Sequence, residues 1–295
     1  MRFITFDKSG VETVGVRFGA ELVDLSIAAP QLPGTLVGII QADLLKEAGT
    51  AAQNAGAKAR RSLEGLKYLP VIPRPPKFFG FGMNYPSHVK VRPATPGYFI
   101  CSPNRLIGHE QPMIAPRKSR TLDYEVELAF VFGKPARHVK EKDALDYVAG
   151  YTVFNDASVR GYGGGVTLTL MKNSDATGPL GPEFVTADEL PPGANGLTIQ
   201  LRRNGKIAQN DKTSSMFWKV PEGIELISSF MSFNAGDVVT TGTCGGTVAD
   251  THLEQVMKDI TDESLPYLRA GDVIESEIEG IGVLRNPIVD EPADG

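Results

Sequence analysis

Between Thr121 and Gly133 the chain reads TLDYEVELAFVFG, the stretch that most constrains the fold. Its first half alternates, so an extended backbone sends Tyr124, Val126 and Leu128 to one face and Asp123, Glu125 and Glu127 to the other. A solvated acidic face is the ordinary reading of such a strand. The apolar continuation LAFVFG argues instead for a strand covered on both faces. Neighbouring carboxylates on a central strand either stay protonated or collect a cation, and oxygen donors without cysteine suit a hard divalent ion such as magnesium, manganese or calcium. Asp156 closes a later apolar run, YTVFND, at a strand end where its side chain can project into such a site. A turn or helix-cap role is its competing reading.

Further strand-like runs recur beyond residue 77: KFFGFGMN, YFICSPN, GYTVFND, LTIQLRRNG, DVVTTGT and DVIESEIEGIGVLRNPIV. Gly, Pro and Asp turns separate them, and helical patterns occur only around 140–148 and 222–232, where Ile224, Ile227 and Met231 share a face. This predicts a mostly β (α+β) domain over 73–295. Ahead of it, MRFITF, VETVGVRFG and AELVDLS alternate as short strands. Residues 41–65 read as one or two helices, and the proline run VIPRPPK at 71–77 reads as a linker, which predicts a small α+β domain over 1–72. Residues 248–267 carry mixed helical periodicity and read as a surface excursion.

The 295 residues are enough for a sizeable core, and no stretch approaches the roughly 20 apolar residues of a membrane span. A net charge of −5 without a basic tract predicts neither nucleic acid nor a membrane as partner. Cys101 and Cys244 match no zinc spacing and form no disulfide framework. The opening MRFITFDKSG lacks the apolar core of a signal peptide, so a cytoplasmic location is expected.

Four smaller features carry chemistry. His88, in GMNYPSHVKV, follows a strand and a proline turn and suits a general base on a loop, or is a surface histidine. Lys172, in MKNSDATGPLGP, is a surface lysine or, beside a metal, a holder of a carboxylate or developing oxyanion. The loop TTGTCGG at 240–246 offers amides and hydroxyls to an anion, or is a plain tight turn. GYGGG at 161–165 lacks the Lys-Ser/Thr of a phosphate loop, does not fit the dinucleotide fingerprint, and reads as a flexible lid segment.

Taken in order, GFGMNYPSH, LDYEVELAFVFG, DALDYVAGYTVFNDAS, the KNSD…GPLGP segment, GDVVTTGT and GDVIESEIEGIGVLRNPIV resemble the fumarylacetoacetate hydrolase family. The resemblance runs from about Phe78 to Val289 and points to its acylpyruvate hydrolase and 2-hydroxyhepta-2,4-diene-1,7-dioate isomerase-like branch. It implies a mixed β-sandwich roll with a small N-terminal domain, and a homodimer. It further implies that Glu125, Glu127 and Asp156 bind one Mg2+ or Mn2+, with Asp123 behind them.

By the same resemblance Lys172 stabilises an enolate, Thr243, Tyr85 and Gly242 contact a keto-acid substrate, and His88 activates water. Many acylpyruvate hydrolases carry a Glu three residues after that histidine; here the position is Val91, and Asp250 is the nearby acid that takes its place. A second departure is Cys244, where Pro is common, before the longer excursion through 248–267. The implied reaction is carbon–carbon hydrolysis of an acylpyruvate-like 2,4-diketo acid through an enolate held by the metal, in the breakdown of aromatic or other small organic compounds. Decarboxylation of an oxaloacetate-like acid or isomerisation of a hydroxy-diene-dioate is the alternative, and metal and keto-acid binding without turnover a third.

Overall fold

The structure is a computed structural model that describes residues 1–161 and 168–293. Most of the GYGGG segment therefore lies outside the described residues, and with it the lid reading.

The strand Val126–Phe132 sits at the centre of an eleven-stranded sheet, antiparallel to Val148–Asn155 on one side and to Val238–Thr243 on the other. Beyond Val238–Thr243 come Phe78–Gly82 and the edge strand Gly97–Ile100. Beyond Val148–Asn155 come Gly178–Thr186 and then Arg2–Lys8, Val11–Phe18, Glu21–Asp24 and Arg60–Ser62. A second sheet of five strands, Lys206–Lys212, Thr198–Arg203, Val273–Ile278, Gly282–Asp290 and Met113–Ala115, packs against the first. The result is the mostly β, mixed sandwich expected from the sequence.

Pleating explains why the central strand is buried throughout. Val126, Leu128 and Phe130 pack against Ile199, Leu201, Ile274 and Leu284 of the second sheet. Ala129 and Val131, on the other face, join Phe3, Leu36, Ile39, Ile40 and Ala48 from the N-terminal segment. The two faces therefore have different covers, and the N-terminal strands extend the large sheet directly, with Phe3 opposite Phe184. Glu127 continues the face of Ala129 and Val131, at the end of the strand that the N-terminal cover leaves to other side chains.

Several elements depart from the sequence expectation. Within 41–65, beyond Gln41, the α-helix runs over Leu45–Gln53 among the described residues; Arg60–Ser62 is a strand, because Arg60 and Arg61 pair with Glu21 and Asp24 across the ladder. The short helix Leu36–Gln41, capped by Thr35, was not expected. Residues Glu141–Tyr147 form 3-10 turns, and the helix Val220–Ser228 buries Ile224 and Ile227 while Met231 lies beyond its end. Gly178–Thr186 reads as a turn in sequence but occupies the sheet interior; Pro182 falls where its register against Val148–Asn155 shifts between Tyr151 and Val153. The excursion after residue 247 holds two short helices, Val248–Thr251 and Leu253–Lys258. Among the described residues no helix is long and apolar enough to cross a membrane.

Phe3 is fully buried, 6.1 Å from the Phe184 ring, in the cluster that also holds Val131. Phe3→Ala is expected to cost about 3–5 kcal/mol in denaturant unfolding. One cooperative transition is expected in the variant; loss of the N-terminal strands in a separate earlier step would contradict a shared core.

Candidate active site

The site is assembled where the central strands end. Glu125 and Glu127 flank Val126 at the start of Val126–Phe132, and Asp156 follows Val148–Asn155 directly. The Asp156 amide donates to the Glu125 carbonyl at 2.8 Å, and the Glu125 amide donates to Asn155 Oδ1 at 2.9 Å. These contacts hold the two strand ends together. One carboxylate oxygen from each of Glu125, Glu127 and Asp156 lies within 4.8 Å of the others, and all three residues are buried. The solvated-face reading is thereby excluded.

The alternation breaks at Tyr124 and Glu125, which leave the ladder between the short strand Leu122–Asp123 and Val126. Asp123 consequently faces away from the cluster. It accepts from the amides of Val248 and Ala249 at 2.9 and 3.2 Å and from Arg160 Nε at 3.1 Å. Its role is to tie the segment that carries Asp250 to Arg160.

Three cations balance the acids. Lys172 Nζ lies 2.7 Å from Glu125 Oε2 and 2.6 Å from Asp156 Oδ2. Arg160 Nη2 donates to Glu125 Oε1 at 2.5 Å. Arg105, fully buried, donates to Asp156 Oδ1 at 2.6 Å and to the Ala157 carbonyl at 2.8 Å, with its guanidinium carbon 5.3 Å from the centre of the Phe154 ring. Lys172 is thus no surface residue. Burial alone would lower its ammonium, but Asp156 and Glu125 outweigh burial and raise it. Burial likewise pushes the Glu125 carboxyl up, and Lys172 and Arg160 overcome this, holding it down at about 2. Among the described residues no cation is paired with Glu127 as closely: burial and then Asp156 outweigh Lys172 and push it well above the usual carboxylate range.

Across the site, His88 Nδ1 lies 2.9 and 3.0 Å from the two Asp250 oxygens. Asp250 Oδ2 also accepts from the amides of Gly246 and Thr247, so the carboxylate is fixed before it meets the histidine. Ser87 steadies the turn from the other side, donating to Asp211 at 2.5 Å and accepting from the Gly245 amide at 3.0 Å. His88, Glu125, Glu127, Lys172 and Thr243 line one cavity of about 150 Å³.

Two expected contact residues are not among the described residues that line this cavity. Tyr85 is fully buried, and among the described residues its hydroxyl has no hydrogen-bond partner. The Gly242 amide donates to Glu127 Oε2 at 3.0 Å, so this glycine orients one of the cavity's carboxylates. The Thr243 hydroxyl donates to the Val126 carbonyl at 2.9 Å and accepts from Gln209 Nε2 at 2.8 Å. The sequence reading missed Arg105, Arg160 and Gln209. Arg160 sits four residues after Asp156 and was within reach of inspection; Arg105 and Gln209 meet their partners only through tertiary contacts.

An all-oxygen donor set, buried and with one carboxylate oxygen of each residue within 4.8 Å of the others, fits Mg2+ or Mn2+. A proton on Glu127 competes with such an ion, so Mn2+ affinity in calorimetry is expected to keep rising with pH above the usual carboxylate range, with proton release. A flat profile would contradict this. Arg105→Lys, which loses the two-pronged hold on Asp156 and Ala157, is expected to weaken Mn2+ binding by roughly 10–100-fold in the same measurement.

Residues 77–289 match the family described as fumarylacetoacetate (FAA) hydrolase C-terminal. The chain is 32% identical over 302 residues to a mitochondrial oxaloacetate tautomerase of Xenopus laevis, covering 98% of this chain and 90% of that one. The structure of maleylpyruvate hydrolase from Sphingobium sp. SYK-6, in complex with manganese (II) ion and pyruvate, is 25% identical with a TM-score of 0.80, covering 99% of this chain and 100% of that one. The structure of 2-hydroxyhepta-2,4-diene-1,7-dioate isomerase from Mycobacterium marinum is also 25% identical, with a TM-score of 0.74 and 99% of both chains covered. With the profile matched across most of its length and the carboxylate cluster at the end of its central strands, the chain belongs to the fumarylacetoacetate hydrolase family.

Proposed function

We propose that the protein is a divalent-cation-dependent hydrolase that cleaves a carbon–carbon bond in small 2,4-dioxo acids of the acylpyruvate type. The observation that carries this reading is His88, held by Asp250, opening on the same cavity as Glu125, Glu127 and Lys172. It supplies locally what Val91 does not.

An ion held by Glu125, Glu127 and Asp156 would supply Lewis acidity to the 2-oxo acid end of a substrate. The remaining work falls to the chain. Asp250 holds Nδ1 of His88, which leaves Nε2 to take a proton from water as its oxygen joins the distal carbonyl carbon. The bond between that carbon and the methylene breaks, and its electron pair passes to the pyruvyl half. The Lys172 ammonium, beside Glu125 in the same cavity, would stabilise this negative charge. Return of the proton completes one carboxylic acid and one pyruvate per water consumed.

A second reading is favoured by the Xenopus laevis oxaloacetate tautomerase, whose similarity covers 98% of the chain. Keto–enol interconversion needs only proton transfer, so it draws on His88 and Lys172 without attack by water.

Proton NMR of the metal-stripped protein resupplied with Mg2+ or Mn2+, incubated with acetylpyruvate and separately with oxaloacetate, distinguishes these readings. Acetate plus pyruvate from the first, dependent on the cation, is expected. His88→Ala is expected to slow this by roughly 10²–10⁴-fold, and Lys172→Ala by roughly 10²–10³-fold with Mn2+ still bound. Faster oxaloacetate enolisation with acetylpyruvate left intact would transfer the assignment to a tautomerase, and pyruvate from oxaloacetate alone to a decarboxylase.

A further inference from the structure

Three consecutive amides, those of Gly245, Gly246 and Thr247, are turned toward the surroundings of His88. That of Gly245 donates to Ser87 Oγ at 3.0 Å, and those of Gly246 and Thr247 donate to Asp250 Oδ2 at 3.1 and 3.2 Å. The residue before His88 and the carboxylate against its ring thus hang on one loop. Glycine is what lets the loop come so close. A Cβ at Gly245 would fall 2.2 Å from the Ser87 carbonyl oxygen, and one at Gly246, whose φ is 110°, 2.2 Å from the Ala208 carbonyl oxygen. The loop is therefore wedged between the turn that carries His88 and the edge strand Lys206–Lys212.

That strand is a fixed reference because Gln209 anchors it. Gln209 is buried, accepts from the Val126 amide at 3.0 Å, and donates to the Cys244 carbonyl at 2.6 Å and the Thr243 hydroxyl at 2.8 Å. Asp211 follows two residues later on the same face of the strand. Its Oδ2 accepts from Ser87 Oγ at 2.5 Å, a short charge-assisted bond, and its Oδ1 accepts from the Lys212 amide at 2.7 Å. At the start of the turn, Asn84 Nδ2 donates to the carbonyls of Trp218 and Thr241 at 3.0 and 2.7 Å. Asn84 holds the turn where it begins, and Ser87 holds it where the imidazole departs.

We propose that Asp211, acting through Ser87, is a positioning residue that keeps Nδ1 of His88 on Asp250 and so leaves Nε2 open to take a proton. The inference rests on the preceding reading of His88 as the base. It brings a residue of the polar edge strand into the machinery of the site, although neither Ser87 nor Asp211 is among the described residues lining the cavity.

The test reads proton position and rate separately, on the full chain loaded with Mg2+. Long-range proton–nitrogen correlation of the imidazole rings, with His88 identified by the signals lost in His88→Gln, is expected to place the proton on Nδ1 in the unaltered protein. In Ser87→Ala and Asp211→Ala a share of ring protonated on Nε2 is expected. With acetylpyruvate, kcat is expected to fall roughly tenfold in both variants with KM within about twofold, and Ser87→Thr, which keeps the hydroxyl, to hold at least about half of the turnover. Mg2+ affinity in calorimetry is expected to stay unchanged; a loss of affinity that accounts for the fall in rate would overturn the proposal. So would an unchanged tautomer, or an unchanged kcat, in both alanine variants. If the unaltered protein leaves acetylpyruvate intact, the hydrolase reading falls, and the tautomer alone decides for or against Asp211.

Discussion

Three carboxylates buried within reach of one another dominate the energetics of this fold. Desolvating each charge costs about several kcal/mol, and mutual repulsion adds to that cost unless cations or protons intervene. The protein answers with Lys172, Arg160 and Arg105, each buried and each aimed at a particular oxygen. These cations serve Glu125 and Asp156 and leave Glu127 as the acid pushed upward. A divalent ion is the remaining partner that this arrangement calls for, and its pull would act on all three carboxylates at once.

The scaffold explains how such an unfavourable cluster can be held. Glu125, Glu127 and Asp156 sit at the ends of two adjacent central strands, whose bodies are anchored on one face by the second sheet and on the other by the N-terminal segment. The backbone positions of the acids are thus set by apolar packing some distance away. Gln209 reaches in from an edge strand to fix the Val126 amide and the loop at Cys244, and the Asp123 carboxylate ties Arg160 to the segment bearing Asp250. One residue of the acidic strand therefore links the cation network to the His88–Asp250 pair.

Much of this was legible in the chain. Alternation followed by LAFVFG announced a strand covered on both faces with acids at one end, and the strand end at Asp156 pointed to the same place. The family resemblance then ordered the motifs. Asp250 as the partner of His88 is what the resemblance implies for a chain with Val91 in place of the usual Glu, and the structure puts the two in contact. What stayed hidden has physical reasons. Asp123 looked equivalent to Glu125 and Glu127 because periodicity assumes an unbroken strand, whereas the ladder breaks between them. Gly178–Thr186 hid behind its glycines and prolines, which signal turns locally but here occupy a register shift. Lys206–Lys212 hid because, as an edge strand, it is polar along most of its length and buries little beyond Gln209. Arg105 acts through contacts 51 and 52 residues away, and no local pattern encodes them.

Occupation of the cluster is the claim on which the rest stands, and anomalous diffraction from crystals of the protein grown with Mn2+ tests it directly. The account predicts one manganese peak ligated by Glu125, Glu127 and Asp156, with Lys172 displaced from its bridging position between Glu125 and Asp156. A peak at any other site, or no peak while Lys172 keeps both contacts, would contradict it.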